Sequence, residues 1–273
     1  GRDAVVVEPA VGRLTGADTG RGRLPEAAEL FAVAAQVLLR GVRSPDLAGR
    51  HVVVSAGGTR EHLDPVRYLG NRSSGLQGYA LAAAAVARGA EVTLLAANVS
   101  LPDPAGAKVV PVVSTAELRD AVLSAARTAD AVVMAAAPAD FRPSRRAEHK
   151  IKKTAGGAPR PLELVQNDDI LATLAHDRPR CGSVVVGFAA ETGDAEADVL
   201  AHARAKLERK GCDLLVVNDV SHGKVFGSPD TEAVILAADG SQIPVAHGSK
   251  AALAHLVWDQ VLARLDAADA PAW

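Results

Sequence analysis

A chain of 273 residues with 48% apolar and 23% charged residues has the composition of a globular protein with a sizeable core, long enough for one large domain and an appendage. Aromatic residues make up only 3%, so Ala, Val and Leu must fill that core. The net charge of −2 gives no general attraction to nucleic acid or membrane, and no apolar run reaches the ~18–20 residues of a transmembrane helix. Any polyanion that binds must find a local cluster of cations.

The chain opens on Gly-Arg rather than Met, so its N-terminus is expected to have been cut from something longer. Residues 1–25, with Pro9, Gly12, Gly16, Gly20 and Gly22, are expected to be loop. A helix is predicted from about Pro25 to Leu39. Ser44, Pro45 and Gly49 then mark a linker, with a domain boundary near residue 48. Beyond it the pattern alternates. Residues 51–56 (HVVVSA) form a short β-branched run, expected to be a buried parallel strand, and residues 73–88 an Ala-rich helix ending at Gly89. A strand over 91–97 follows. A helix then opens on Ser114 and Glu117 at capping-box spacing and runs to about Thr128.

Residues 131–136 are the next strand. A helix near 169–176, a strand over 184–188, a helix over 195–210 and a strand over 214–217 complete the alternation. The last part changes character. Residues 232–237 and 242–246 flank Asp239-Gly240, a hairpin signal, and a final helix runs from about Lys250 to Leu265. Short apolar strands separated by helices indicate an α/β, Rossmann-like, doubly wound and mostly parallel sheet, here with a C-terminal antiparallel hairpin. The two cysteines, Cys181 and Cys212, each stand beside a glycine in a chain without a secretory signal. Two reduced thiols and a cytoplasmic location are expected.

In open α/β sheets ligands bind beyond the carboxyl ends of the strands, so the loops after each strand carry the functional question. The first runs over residues 55–75 (SAGGTREHLDPVRYLGNRSSG). Gly57-Gly58 permits a tight turn, and Ser73, Ser74 and Gly75 offer hydroxyls and N–H groups at a helix start, the makings of an anion site. The spacing fits neither a dinucleotide fingerprint, which needs its glycines directly between strand and helix, nor a P-loop, which needs Gly-Lys-Ser/Thr. Asn71 could donate to an acyl oxygen while Arg67 and Arg72 hold a phosphate. A solvated loop and a turn asparagine are the plain alternatives.

The second loop begins AAAPAD at residues 135–140, where small side chains allow close approach to the backbone. Asp140 is a natural carboxylate for a magnesium ion on a triphosphate, or else a helix cap. Six of the twelve residues over 142–153 are Arg or Lys, and Gly156-Gly157 follows. This run is either a solvated face or a cationic lid over phosphates. In the third region Phe188, at a strand end, could stack on a base or simply fill the core. Lys206 and Lys210, four apart, share a helix face that an anion between them would stabilise.

Taken together, SAGGTREHLDPVR (55–67), NRSSGLQG (71–78), AAPAD (136–140), KIKK (150–153), GFAAET (187–192) and NDV (218–220) resemble the phosphopantothenoylcysteine synthetase family, in order and spacing across residues 51–265. The resemblance implies a dimeric ligase of coenzyme A biosynthesis, unrelated to ATP-grasp enzymes. It would use CTP and Mg2+ to convert 4′-phosphopantothenate to an acyl-cytidylate, then join it to L-cysteine and release CMP. By position it implies that Asn71 stabilises the acyl intermediate, that Lys150 acts on the triphosphate and that Asp140 holds the cation. Ala136 and Ala137 would line the pantothenate channel. Asp168, Asp169, Ile170, Leu171, Phe188, Lys206 and Lys210 would surround the nucleotide, with Ala136 beside it. Arg67 would reach the substrate phosphate in a neighbouring subunit.

Residues 1–48 resemble the end of the flavin-dependent decarboxylase that is usually fused upstream. Relatives often carry a catalytic cysteine near Gly16, and here there is none; neither flavin nor decarboxylase activity is expected in this chain. A second departure is Leu76-Gln77, where relatives often carry a basic residue. An NAD(P)-dependent oxidoreductase of the short-chain type is the alternative, weakened by the missing glycine fingerprint, ribose acid and Tyr-x-x-x-Lys pair. No nucleic-acid or membrane partner is expected.

Overall fold

The computed structural model describes residues 6–7, 9–14, 18–41, 45–152, 161–191, 199–219 and 230–269. Gly16, Ser44, Lys153, Gly156, Gly157, Thr192, residues 195–198 and Val220, all used above, lie outside the described residues.

Eight strands form the central sheet. In chain order they are β3 (His51–Gly57), β6 (Glu91–Ala97), β7 (Ala107–Val112), β8 (Ala131–Met134), β11 (Val184–Glu191), β12 (Leu214–Asp219), β13 (Asp230–Ala237) and β14 (Gln242–Ser249). Across the sheet the order is β14-β13-β12-β11-β8-β3-β6-β7. The six strands from β7 to β12 are parallel, and β13 and β14 add an antiparallel hairpin. The α/β, Rossmann-like, mostly parallel architecture expected from the alternation is therefore present. The six parallel strands run 3-2-1-4-5-6 in their own order, the doubly wound arrangement with its reversal between β3 and β8.

Each β-branched run splits between two cores because successive side chains point to opposite faces. Val52, Val54 and Ala56 of β3 join Ala131, Val133, Val186, Leu214 and Val216 on one face. That face is covered by α2 (Leu76–Ala87) and α6 (Lys250–Asp269). Val53, Val132, Val185 and Leu215 belong to the other, under α3 (Thr115–Ala125), α4 (Ile170–His176) and α5 (Val199–Lys210). Trp258, fully buried on α6, donates its indole N–H to Leu81 O of α2 at 2.9 Å, which satisfies the one polar atom of the largest core side chain. Cys212 is buried, Cys181 is exposed, and both are free thiols.

Several elements differ from expectation, each for a local reason. Residues 1–25 are not all loop, because β1 (Ala10–Arg13) pairs antiparallel with β2 (Thr19–Arg23). The glycines there resemble turn residues in sequence but sit in a ladder. Strand β7 went unseen because Pro111 interrupts its apolar run; the strand lies at the sheet edge, where one side needs no N–H donor. Helix α2 begins three residues later than predicted, behind Gly75 in the left-handed region at φ 78°. Short antiparallel pairs fold the two long loops: β4 (Glu61–His62) with β5 (Tyr68–Leu69), and β9 (Phe141–Pro143) with β10 (Leu164–Gln166). The caps agree with the reading: Ser114 Oγ accepts from Glu117 N at 3.2 Å, and Glu117 Oε2 accepts from Val113 N at 2.7 Å.

Helix α1 (Ala27–Arg40) lies against α2 and α6. Beneath it, the buried Arg88 guanidinium forks onto Asp46, with both bonds at 2.9 Å. It also donates to Asp259 at 2.7 Å and to His255 O at 3.0 Å. His255 Nε2 meets Gln36 Oε1 of α1 at 2.8 Å. Removing a buried charge that three partners share leaves those partners unsatisfied. Asp46 and Asp259 keep some exposure, so water softens the loss. Arg88→Met is predicted to lower the unfolding free energy by about 3 kcal/mol. Urea denaturation checks this; an unchanged midpoint would show that the network contributes nothing.

Candidate active site

At the carboxyl ends of the parallel strands, around the β3/β8 reversal, lies a cleft of about 460 Å³. Its floor is built by lacing the exit of β8 to the end of β3. Ser55 Oγ accepts from Ala136 N at 3.1 Å, Gly57 O accepts from Ala137 N at 2.8 Å, and Thr59 Oγ1 accepts from Ala139 N at 2.8 Å. Thr59 also meets Thr115 Oγ1 at 2.9 Å, and the buried Glu61 accepts from Thr115 N at 2.8 Å, joining α3 to the same block. Gly57 has φ 85°, and a Cβ there would sit 2.1 Å from Ala97 O, so this glycine serves the packing of β3 on its neighbour. The residues of 55–61 singled out by their motif are in large part a scaffold.

The ligand-facing residues stand around that floor. Asn71, Ser73, Ser74 and Gly75 line the cleft from the first loop, and Ala136, Ala137 and Asp140 from the second. Asp168, Asp169, Ile170 and Leu171 enter from the start of α4, Phe188 from β11, and Lys206 and Lys210 from α5. Asn71 donates its amide to Pro138 O at 2.8 Å, joining the two loops across the switch. Ser73 Oγ accepts from Gly75 N at 3.3 Å and Ser74 Oγ from Leu76 N at 3.5 Å, so both hydroxyls lean on the start of α2. Lys210 is ion-paired with Asp169, and Arg119 with Asp168. Burial pushes the Asp169 carboxyl up, but the Lys210 ammonium and the Ala172 N–H more than offset this and hold it below the usual carboxylate range. Asp140 is exposed, and its carboxylate makes no hydrogen bond or ion pair among the described residues. There, no cluster of three or more His, Cys, Asp or Glu side chains forms a metal cage.

Two expected residues stand apart. Arg67 and Lys150 do not line the cleft. Arg67 forks onto the buried Asp64 at 2.6 and 3.0 Å, and also donates to Ile151 O at 2.7 Å. Asp64 further accepts from the N–H groups of Val66 at 2.8 Å, Arg67 at 2.9 Å and Ile151 at 3.1 Å. Both sides of the Ile151 residue are thus held, and the exposed Lys150 is presented beside this clamp, outside the cleft of its own chain. Gln77 and Asn218, noted in the sequence without a site role, also line the cleft, as do Asn167 and Lys250, which the sequence reading missed. Asn218 ends a parallel strand, and the strand-end rule would have found it. Lys250 follows an antiparallel hairpin, which that rule does not cover.

With this geometry established, the relationships are direct. The family model described as the DNA/pantothenate metabolism flavoprotein C-terminal domain matches residues 47–265. The chain belongs to this family. It is 54% identical over 267 residues to the coenzyme A biosynthesis bifunctional protein CoaBC of Mycobacterium tuberculosis, covering 96% of this chain and 64% of that protein. The chain thus spans less than two thirds of that relative's length. Among solved structures it resembles the C-terminal domain of a CoaBC protein, with a TM-score of 0.68 and 31% identity, covering 82% of this chain and all of that one. A mutant Cab2 in complex with phosphopantothenate-cysteine shares the fold, with a TM-score of 0.63 and 18% identity over 88% of this chain and 93% of that one. In this family's domain, among the described residues, no helix is long and apolar enough to cross a membrane.

The Asp64 clamp has a pH signature. Burial pushes its carboxyl up, but Arg67 and the Val66, Ile151 and Arg67 N–H groups outweigh burial and hold it well below the usual range. A depressed folded pKa means that the carboxylate's contribution is full above the unfolded value near 3.8 and is lost as pH falls toward the folded one. Asp64→Asn is therefore predicted to melt below the wild type at neutral pH, with the gap closing as pH drops below about 4. Melting curves from pH 7 to 2.5 decide it; a gap independent of pH would contradict the clamp.

Proposed function

We propose that this chain is the phosphopantothenate–cysteine ligase part of a CoaBC-type protein of coenzyme A biosynthesis. The carboxylate of 4′-phosphopantothenate attacks the α-phosphorus of CTP, pyrophosphate leaves, and an acyl-cytidylate forms. The amine of L-cysteine then attacks the acyl carbon, CMP departs, and the new amide gives 4′-phosphopantothenoylcysteine. The observation that carries this reading is the gathering of Asn71, Asp140, Phe188, Lys206 and Lys210, far apart in sequence, around one cleft at the topological switch.

The first step must bring two anions together. Each pair of unit charges at 4 Å repels by about 4 kcal/mol at an intermediate dielectric, so cations have to be supplied locally. Lys206 and Lys210 supply them on the nucleotide side, and Phe188 offers its ring to the base. Asp140, exposed in the cleft and committed to no other described group, fits a magnesium ion that arrives on the triphosphate with water ligands. When bound, that ion neutralises charge on the phosphates. Asn71 would donate to the acyl oxygen, and Ala136 and Ala137 would let the pantothenoyl chain lie close to the backbone.

Arg67 and Lys150 act, in this proposal, across a homodimer. Their face carries the exposed apolar side chains Val66, Tyr68, Phe141, Ile151 and Leu164, which suit a second copy of the chain. Arg67, about half exposed on that face, would reach the substrate phosphate of the partner subunit, and Lys150 would act on the triphosphate. Residues 1–48 are proposed as the end of a flavoprotein decarboxylase half, with residues 49–273 as the ligase domain. The exposure of Phe31 and Leu38 on α1 supports a further partner on that side.

Pyrophosphate release that requires CTP, Mg2+ and 4′-phosphopantothenate together tests the reading, and NAD(P)H binding in its place would overturn it. Asn71→Asp is expected to keep pyrophosphate release within a few-fold. It should form amide about 100-fold more slowly, because a carboxylate would repel the acyl oxygen it should stabilise. Equal loss of both half-reactions would remove Asn71 from that role.

A further inference from the structure

Asn167 belongs to none of the segments that carry the family resemblance, yet it lines the cleft where two of its walls meet. One wall is the loop behind β8, which ends in Asp140. The other is the start of α4, which brings in Asp168 and Asp169. Of the three carboxylates lining the cleft, Asp168 is ion-paired with Arg119 and Asp169 with Lys210. Asp140 is exposed, and its carboxylate makes no hydrogen bond or ion pair among the described residues. An acid left in this way is placed by its backbone.

That backbone is held from two sides. On the floor side, the buried Ala139 donates its N–H to Thr59 Oγ1 at 2.8 Å. On the other side stands Asn167. Its N–H donates to Asp140 O at 2.9 Å, one step beyond the Gln166–Phe141 pair that ends the β9–β10 ladder. Its side chain reaches further: Nδ2 donates to Ala139 O at 2.8 Å, while Oδ1 accepts from Arg142 Nη1 at 2.8 Å. Arg142 also donates to Gln166 O at 3.0 Å, so the group that orients the amide is itself tied down. The two carbonyls that Asn167 holds belong to the peptides before and after Asp140. An asparagine carries a donor and an acceptor on one short stem, and both are engaged here. Aspartate would set a second acceptor against Ala139 O, and alanine would keep only the backbone bond.

We propose that Asn167 is a positioning residue: it fixes both peptides that flank Asp140 to the start of α4, so that the Asp140 carboxylate keeps a set separation from the nucleotide side of the cleft. This rests on the ligase reading, in which Asp140 meets the Mg2+ that arrives on CTP. Mg2+ demands near-octahedral geometry and tolerates little displacement of a ligand. Groups that orient a metal-binding side chain contribute about 10–100-fold to metal affinity without touching the ion. Asn167 acts in this way, through Asp140.

The test is calorimetric titration with CTP, once in EDTA and once with saturating Mg2+, so that the gain in affinity from the metal is read apart from catalysis. Wild type, Asn167→Ala, Asp140→Asn and the double variant are compared. Asn167→Ser, whose hydroxyl ends one bond nearer the backbone, serves as a second variant. Asn167→Ala should cut the gain from Mg2+ by about tenfold and leave metal-free CTP binding within about twofold. In the Asp140→Asn background the same substitution should change the gain by less than about twofold, because the effect runs through Asp140. An undiminished gain in both Asn167→Ala and Asn167→Ser overturns the proposal, as does an equal loss in both backgrounds. A loss of CTP affinity with and without Mg2+ alike, in both variants, also overturns it and leaves Asn167 as a loop tie. If Asp140→Asn keeps the full gain, the assignment of the cation to Asp140 falls; a wild type that does not bind CTP removes the ligase reading. Either result takes this inference with it.

Discussion

Strands β3 and β8 are parallel neighbours, but the chain leaves them toward opposite edges of the sheet: β3 leads on to β6, and β8 to β11. Loops leaving two such strands must diverge, and a crevice opens between them. Everything proposed for this protein depends on that crevice having a fixed floor. Hydrogen bonds donated by the N–H groups of Ala136, Ala137 and Ala139 to Ser55 Oγ, Gly57 O and Thr59 Oγ1 hold residues 136–139 against the end of β3, in a block that is largely buried. A site assembled on strand ends in this way needs little rearrangement to hold its donors in place, and that is the condition for stabilising charge that develops during a reaction.

The charge distribution follows from the same geometry. The chain as a whole is slightly acidic, so its attraction for polyanions is local. Lys206 and Lys210 stand on one side of the sheet and Lys250 on the other, with the small residues of the β8 exit between them. Asp64 ties Arg67 and Ile151 together outside the cleft lining, on a part of the surface that also carries exposed apolar side chains.

Much of the fold was legible because short β-branched runs set between helical stretches have few alternatives to a buried parallel strand, as at β3, β8, β11 and β12. Edges were not. Pro111 hid β7 because an edge strand tolerates a missing donor, and β9–β10 and β4–β5 are too short to show a period. In the site, residues late in a parallel strand or in the loop behind one could be found by position, as Phe188 in β11 and Asp140 beyond β8 were. Gly57 was read as permitting a tight turn, and it has the positive φ of one; that it also packs against a carbonyl on the neighbouring strand is invisible along the chain. Lys250 had no local signal. Its place in the cleft comes from the antiparallel return of β14, which carries the start of α6 to the same end of the sheet as the parallel strand ends.

The most direct measurement is a crystal structure of the protein with a non-hydrolysable CTP analogue, Mg2+ and 4′-phosphopantothenate. The account predicts the triphosphate beside Asp140, Lys206 and Lys210, the substrate carboxylate facing its α-phosphate near Asn71, and the pantothenoyl chain crossing the sheet over Ala136 and Ala137. A nucleotide lodged away from the β3/β8 crevice would contradict it.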